Sequence, residues 1–265
     1  MSKASCGTRR PVKVSNQSGC GTKGASRQLA SAHVYAAPSI KELRSKINDN
    51  DTVLAYVVKT CEPKRGDSDA SVILEHSGSG PNMAGGYITL CTCKRMMRTS
   101  PDFWDAVKGS RIWIAGFSRS VLDGKNWLFY VMKVGKTFDS QRKIYEYLKE
   151  SKPDVLEKKL ATDFELGDIF VPKNPCRSEF DPDCYKLPHP NHAHTKPPRP
   201  DTWKKDINYQ GYGGRYPKML LGDETNSFCY PNGKIYLTSD KPMTQGNRRM
   251  CGEGFLALLN DFPVP

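Results

Sequence analysis

The sequence predicts an α+β fold with a mixed, largely antiparallel sheet or an open barrel, and with helices at its periphery. Two turn signals carry this prediction, because Asp123-Gly124 and Asn232-Gly233 each lie between two apolar, β-rich runs. Such pairs are typical of tight hairpins, which join antiparallel strands. Strands and helices do not alternate regularly along the chain, which excludes a doubly wound parallel sheet.

The first half of the chain predicts a helix, a strand and then the first hairpin. Ser39 and Glu42 have the spacing of a capping box, which predicts a short helix over residues 39–47. The nearly continuous apolar run 52–59 predicts a strand that is buried on both faces. The charged run 62–71 predicts a loop. Three further strands are expected at residues 88–93, 111–117 and 127–134, and a helix is expected at residues 100–108.

The second half begins with the clearest amphipathic helix pattern, over residues 139–149. Residues 172–203 contain eight prolines, which predict a long, stiff and irregular insertion. The second hairpin is expected over residues 225–239, and a short helix over 254–259 closes the chain.

We expect a single domain over residues 33–265 that includes the insertion at 172–203, preceded by a disordered basic arm over residues 1–32. The formal net charge is +12, and residues 1–30 contribute six of these charges because they contain six lysines or arginines and no acid. A basic arm on a basic body indicates an anionic partner, and nucleic acid or a nucleotide is the one we expect. Solubility alone is the alternative explanation.

The apolar pattern and the cysteines predict an intracellular protein, in the cytoplasm and nucleoid or in a nucleus. No run of about 18 apolar residues is present, so we expect no membrane partner, and the N-terminus lacks the apolar core of a signal peptide. The nine cysteines are expected to be reduced. Cys91 and Cys93 are expected to be small core residues on one strand face. The sequence does not identify which proteins, if any, are partners.

Three cationic residues, Lys94, Arg95 and Arg98, follow the strand predicted over residues 88–93 and lie near Gly85-Gly86. Guanidinium groups bind phosphate bidentately, and backbone N–H groups at glycines can approach a phosphate closely. The cluster therefore predicts contact with a nucleotide or nucleic acid. A solvated basic turn is the alternative.

A second candidate group is aromatic, because Tyr209, Tyr212 and Tyr216 lie with Arg215 in a glycine-rich loop. The faces of such rings stack on unpaired or displaced bases. The alternative is that the rings only pack the loop.

A third candidate group could hold zinc, and its five members fall within 19 residues: Cys176, Cys184, His189, His192 and His194. Thiolates and imidazoles are ligands of zinc, which would fasten a segment that buries too little apolar surface to fold alone. The spacing matches no standard zinc finger, so zinc is the candidate cofactor and metal-independent loop residues are the alternative.

Short motifs across roughly residues 52–250 resemble the nucleotide modification associated domain 2 family. They lie at residues 55–58, 80–82, 89–90, 93–94, 98, 112–116, 128–133, 138 and 237–240. The resemblance implies an α+β domain associated with systems that modify DNA bases. It also implies a looser likeness to the base-reading barrels of the PUA and EVE type.

Taken with this resemblance, the charge and the candidate groups indicate a nucleic-acid-associated protein that recognises a nucleotide or a modified base and is linked to DNA base modification. The alternative is an enzyme that itself modifies a base or a nucleotide. The sequence assigns no catalytic residue, since the P-loop, the nucleophile elbow and the H-E-x-x-H motif are absent and the carboxylates are scattered.

Deletion of residues 1–32 is expected to weaken binding to DNA and to flatten its dependence on salt. Each cation that neutralises a phosphate releases a counterion, so the six charges of the arm steepen the salt dependence of the dissociation constant. Fluorescence anisotropy with single-stranded and duplex oligonucleotides over a salt series measures this slope. An unchanged slope would show that the arm does not contact DNA. If neither form of DNA bound at low salt, the nucleic-acid interpretation would be wrong.

Overall fold

An eight-stranded sheet lies at the centre of the structure, and a separate two-stranded sheet packs against it. The computed structural model describes residues 37–67, 71–78, 80–161, 167–188, 192, 201–237, 243 and 246–262. The basic arm predicted over residues 1–32 lies outside the described residues.

Within those ranges the chain forms ten strands and seven α-helices. The strands are β1 (Thr52–Val57), β2 (Cys61–Arg65), β3 (Val72–His76), β4 (Thr89–Leu90), β5 (Ile112–Phe117), β6 (Asn126–Phe138), β7 (Met219–Cys229), β8 (Ile235–Leu237), β9 (Arg248–Cys251) and β10 (Leu259–Asp261). The helices are α1 (Ile40–Arg44), α2 (Arg95–Thr99), α3 (Pro101–Lys108), α4 (Gln141–Ser151), α5 (Pro153–Ala161), α6 (Lys204–Asn208) and α7 (Gly252–Leu256). None of these helices is long and apolar enough to cross a bilayer.

The large sheet is mixed but mostly antiparallel. Six strands follow the order β10-β8-β6-β5-β1-β9, while β7 pairs with β6 and β4 pairs with β7. Strands β1 and β5 are parallel, and the other described pairs are antiparallel. The sheet curls into half a barrel. The predicted α+β class with a largely antiparallel sheet is therefore confirmed.

Strand β1 is buried on both faces, as its nearly continuous apolar sequence predicts. Leu54 and Tyr56 pack into a cluster on one face, and Val53 and Ala55 pack into a cluster on the other. Burial of a large apolar side chain contributes about 1.5–3 kcal/mol. The double burial makes β1 a rigid support for the residues that follow it.

Two helix predictions are confirmed by their caps. The Ser39 hydroxyl accepts a hydrogen bond from the Glu42 backbone N–H, and the Glu42 carboxylate accepts one from the Ser39 N–H at 2.7 Å. Together these bonds form the predicted capping box. Helix α4 starts after the capping residue Ser140, and it buries Ile144 and Leu148.

Part of the charged run 62–71 forms strand β2 and not a loop. Strand β2 pairs with β3 in an antiparallel hairpin. Cys61 and Pro63 are buried, whereas Glu62 between them is exposed. This alternation is a strand signal that the charge of the exposed face obscured.

The Asn232-Gly233 turn does not close a hairpin, so the predicted pairing of its flanking strands is wrong. Strands β7 and β8 both pair with β6, and the described residues show no pairing between them. Strand β6 has 13 residues, which is long enough to take two strands end to end along one edge. The Asp123-Gly124 turn does join paired strands, β5 and β6, as predicted.

The described part of the proline-rich insertion has a small core of its own. Phe170, Tyr185, Trp203 and Ile207 pack together, and Pro172 forms an isolated β-bridge with Tyr185. This core attaches the segment to the rest of the structure. Most of the described part of the segment has no regular secondary structure.

A buried lysine holds the segment that leads into α2. Lys159 is 1% exposed and donates hydrogen bonds to the carbonyl oxygens of Asn82 at 3.0 Å and Tyr87 at 2.8 Å. Burial lowers the pKa of Lys159 to about 8, although nearby Asp168 acts in the opposite direction. The Asp168 carboxyl group accepts a hydrogen bond from the Thr89 hydroxyl at 3.1 Å, and burial raises its pKa.

His76 at the end of β3 is, like Lys159, a residue whose pKa is lowered by burial. Its protonation therefore opposes folding. The residue is half-buried, but its ring lies against Phe129 with centroids 5.1 Å apart, and its Nε2 atom is shielded from water. Burial lowers the pKa of His76 to about 4, although its hydrogen bond to the Gly80 backbone acts in the opposite direction.

Replacement of His76 by phenylalanine is expected to make the free energy of unfolding less dependent on pH in mild acid. The folded-state pKa is about 4 and the ordinary value is 6.5, so between these values the unfolded chain binds more protons. Wild-type stability therefore falls as the pH decreases through this window, by at most about 1.4 kcal/mol per pH unit. The variant lacks this contribution. Urea denaturation at several pH values measures the slope.

The matched control is Ile73→Phe, because Ile73 lies on the same strand, is 42% exposed and carries no titratable group. This control is expected to keep the wild-type slope. Equal slopes for the wild type and His76→Phe would contradict the lowered pKa.

Candidate functional site

A cleft of about 790 Å³ opens beyond the end of β1, beside the start of α2. Its lining combines the end of β1, the corner before α2, the loop after α6 and the segment before β9. The charged and aromatic lining residues are Tyr56, Lys59, Lys94, Arg95, Asp102, Tyr209 and Tyr212.

The corner before α2 has a backbone conformation that is uncommon for a residue with a side chain. Strand β4 ends at Leu90, and the chain turns at Lys94, whose φ is 56°. A left-handed conformation costs about 1–2 kcal/mol for a residue other than glycine. The surrounding contacts must therefore hold Lys94 in place.

Arg98 supplies those contacts from inside the protein. Its guanidinium group donates hydrogen bonds to the carbonyl oxygens of Cys91 at 3.0 Å, Cys93 at 2.9 Å and Lys218. The residue is 0% exposed, and burial lowers its pKa. The sequence placed Arg98 with the ligand-facing cations, but this burial corrects that placement, because the guanidinium group binds the backbone of the corner.

The side chain of Lys94 extends into the cleft across the face of a buried tyrosine. Its Nζ atom lies 4.5 Å from the centroid of the Tyr56 ring. Tyr56 is 1% exposed, and its hydroxyl lies 2.7 Å from that of Tyr130. Burial lowers the pKa of Lys94, although nearby Cys93 acts in the opposite direction. Lys94 therefore loses its proton more readily than a solvated lysine does.

Arg95 is held from behind by a buried carboxylate. Its Nη1 atom lies 2.9 Å from Oδ1 of Asp206, whose side chain is 0% exposed. The other oxygen of Asp206 lies 3.1 Å from Nε2 of His192. The guanidinium group of Arg95 also lies over the Tyr209 ring, 5.4 Å from its centroid. These contacts orient Arg95 on the cleft wall.

The loop after α6 brings Tyr212 to the mouth of the cleft. Tyr212 is 51% exposed, so one of its faces is accessible to a ligand. Gly211 permits this approach, because a Cβ atom there would lie 2.1 Å from Oγ1 of Thr99 at the end of α2. Lys94, Arg95, Tyr209 and Tyr212, which belong to two separate candidate groups in the sequence, thus line one cleft.

Two other predicted residues lie outside this lining. The guanidinium group of Arg215 lies over the Trp104 ring, 5.1 Å from its centroid. The Tyr216 ring stacks on Phe180, with a centroid distance of 3.6 Å and an interplanar angle of 14°. Both side chains therefore pack the loop that carries Tyr212, which was the alternative interpretation for the aromatic group.

Three of the five candidate zinc ligands, Cys176, Cys184 and His192, lie in the described part of the chain, and these three do not form a metal site. Cys176 and Cys184 form a disulfide bond, so they are not thiolate ligands, and the expectation of reduced thiols is wrong for this pair. His192 contacts Asp206 instead, while His189 and His194 lie outside the described residues. The described residues contain no group of three or more potential ligands placed to hold a metal ion.

Three residues of this site were not recognised as such from the sequence. Tyr56 belongs to an apolar strand, where a tyrosine usually fills the core, and Asp206 belongs to a short polar helix. Cys93 was assigned to the core with Cys91, and it does pack against the central cluster, but the two residues do not share one face because β4 ends before them. Cys91 packs in the cluster of α4, and Cys93 lines the cleft.

Comparisons of the chain with protein family models, with curated proteins and with solved structures find no match. The resemblance to the nucleotide modification associated domain 2 family therefore stays a prediction from short motifs.

Replacement of Arg98 by methionine is expected to destabilise the protein by about 3 kcal/mol, because buried carbonyl oxygens of the corner lose their donors. Urea denaturation measures the change. The matched control is Arg119→Met, since Arg119 is exposed and pairs at 2.8 Å with the exposed Glu62. That variant is expected to stay within about 0.5 kcal/mol of the wild type. Similar small effects in both variants would show that Arg98 does not hold the corner.

Proposed function

We propose that this protein recognises a nucleotide, or a modified base displaced from nucleic acid, in the cleft beside α2, and that its role is linked to DNA base modification. The observation that carries the proposal is the shared lining, in which Lys94 and Arg95 meet Tyr209 and Tyr212. Cations that bind phosphate and rings that stack on bases are the two chemistries that a nucleotide requires.

The size and charge of the cleft support this ligand class. A volume of about 790 Å³ lies within the range of small-molecule sites, which is about 300–1,000 Å³. Lys59, Lys94 and Arg95 outnumber Asp102 among the charged lining residues, and the whole chain carries a net charge of +12. The surrounding field therefore attracts an anion.

Each wall of the cleft has a separate part in this binding. Arg95 uses one Nη atom on Asp206, so its remaining N–H groups can reach a phosphate while the carboxylate fixes its direction. One face of Tyr209 lies under Arg95, whereas Tyr212 is 51% exposed. Tyr212 is therefore the ring that we expect to stack on the base.

The same lining supports recognition more strongly than acid–base catalysis. Asp102 is the one carboxylate among the described lining residues, and it forms an ion pair with Arg249 at 2.8 Å. No histidine is among the described lining residues. A carboxylate–histidine pair for proton transfer is thus lacking in the part of the cleft that the structure describes.

Replacement of Tyr212 by alanine is expected to weaken binding of nucleotides and single-stranded DNA. Loss of one stacking contact costs about 1–3 kcal/mol, which corresponds to a roughly five- to hundredfold larger dissociation constant. Replacement of Lys94 by methionine is expected to weaken binding about tenfold through loss of a charge-assisted contact. Isothermal titration with the common nucleoside monophosphates, and anisotropy with oligonucleotides that carry modified or ordinary bases, measure both effects.

Two variants serve as matched controls for this experiment. Leu187→Ala removes a side chain that is 80% exposed and lies outside the cleft. Lys136→Met removes an exposed lysine whose Nζ atom lies 4.2 Å from the Tyr147 centroid, the same arrangement as Lys94 on Tyr56. Equal losses in controls and cleft variants, or no binding of any nucleotide to the wild type at low salt, would overturn the proposal.

A further inference from the structure

Electrostatic attraction of an anion does not by itself explain why a lysine occupies position 94. Arg95 next to it already places a cation in the cleft with helical backbone geometry, whereas Lys94 adopts a φ of 56°. Strained conformations persist where the surrounding structure holds them, and they cluster at functional sites. Here the buried Arg98, in α2 after the corner, binds the carbonyl groups of Cys91 and Cys93 before it.

The surroundings of Lys94 favour the neutral amine more than water does. The side chain is half-buried, and burial lowers its pKa, although the Tyr56 ring face 4.5 Å from Nζ attracts the charged form. A neutral amine is a nucleophile, and an arginine cannot replace it in this role.

Access from the cleft distinguishes Lys94 from the buried Lys159. Lys159 also has a lowered pKa, but it is 1% exposed and binds the carbonyl oxygens of Asn82 and Tyr87. It does not line the cleft. Lys94 lines the cleft, and Arg95 beside it can bind a phosphate group of the ligand that contacts Lys94.

We propose that Lys94 is a nucleophile that forms an imine with an aldehyde on a phosphorylated sugar, of which the ring-opened deoxyribose of an abasic nucleotide is the form found in DNA. This inference goes beyond the proposed function, because the reaction requires a sugar aldehyde and a phosphate but no base.

The reaction needs no oxidant, reductant or metal. The lone pair of Nζ attacks the carbonyl carbon, and a proton moves from nitrogen to the former carbonyl oxygen to give a carbinolamine. That oxygen then leaves as water with the second N–H hydrogen, and a C=N bond forms. The imine is reversible, so a hydride donor added from outside can trap it as a stable secondary amine.

The test incubates the full-length protein with a single-stranded oligonucleotide that contains one abasic site, in the presence of sodium cyanoborohydride. Mass spectrometry of the intact protein and of its peptides identifies the modified residue. We expect an adduct on Lys94, its loss in Lys94→Arg, and its retention in the matched control Lys136→Arg. A parallel reaction with ribose 5-phosphate shows whether the aldehyde must belong to DNA or can come from a free sugar phosphate.

Several results would overturn the inference. These are the absence of an adduct, an adduct on other lysines or on the α-amino group with Lys94 unmodified, and equal trapping by Lys94→Arg. Peptide mapping of the wild type decides the question even if Lys94→Arg fails to fold. Nucleotide binding without an adduct would overturn this inference and leave the proposed function standing. An adduct without nucleotide binding would support this inference and overturn the proposed function.

Discussion

The cleft depends on one buried guanidinium group. Removing an arginine from water costs several kcal/mol, and the cost is offset only when its donors are satisfied. Arg98 meets this condition with the carbonyl oxygens of Cys91, Cys93 and Lys218. Because this planar group belongs to α2 and binds the backbone before the corner, it holds the chain in the turn at Lys94. The bond to Lys218 also ties the corner to the segment that enters β7, 120 residues away from Arg98 in sequence.

The cations of the cleft are organised before any ligand arrives. Lys94 lies on the face of Tyr56, which is anchored to Tyr130, and Arg95 lies on Tyr209 and is anchored to the buried Asp206. Side chains held in this way lose less conformational entropy when they bind a ligand than solvated lysines and arginines do. The same contacts withdraw Lys94 from water, so one arrangement supports both electrostatic binding and amine chemistry.

The proline-rich insertion contributes to the site through a small core that its sequence does not predict. Phe170 contacts the rings of His192 and Trp203, with centroid distances of 5.3 and 5.8 Å. These contacts place α6 so that Asp206 reaches both His192 and Arg95. The insertion thus positions the helix that follows it, and that helix supplies the carboxylate that orients Arg95 in the cleft.

The sequence by itself determined the fold class, both faces of β1, the capping box and the Asp123-Gly124 hairpin, because periodicity, caps and turns are local properties of the chain. It also pointed to the cations and tyrosines that line the cleft. Only the tertiary structure decided which of them face a ligand and which support the backbone. Arg98 lies inside the protein, Arg215 and Tyr216 pack against other rings, and a disulfide bond joins two of the candidate zinc ligands, Cys176 and Cys184. The direction of a side chain depends on neighbours far away in sequence, such as Arg95 and Asp206 at a separation of 111 residues, and no local pattern records such a contact.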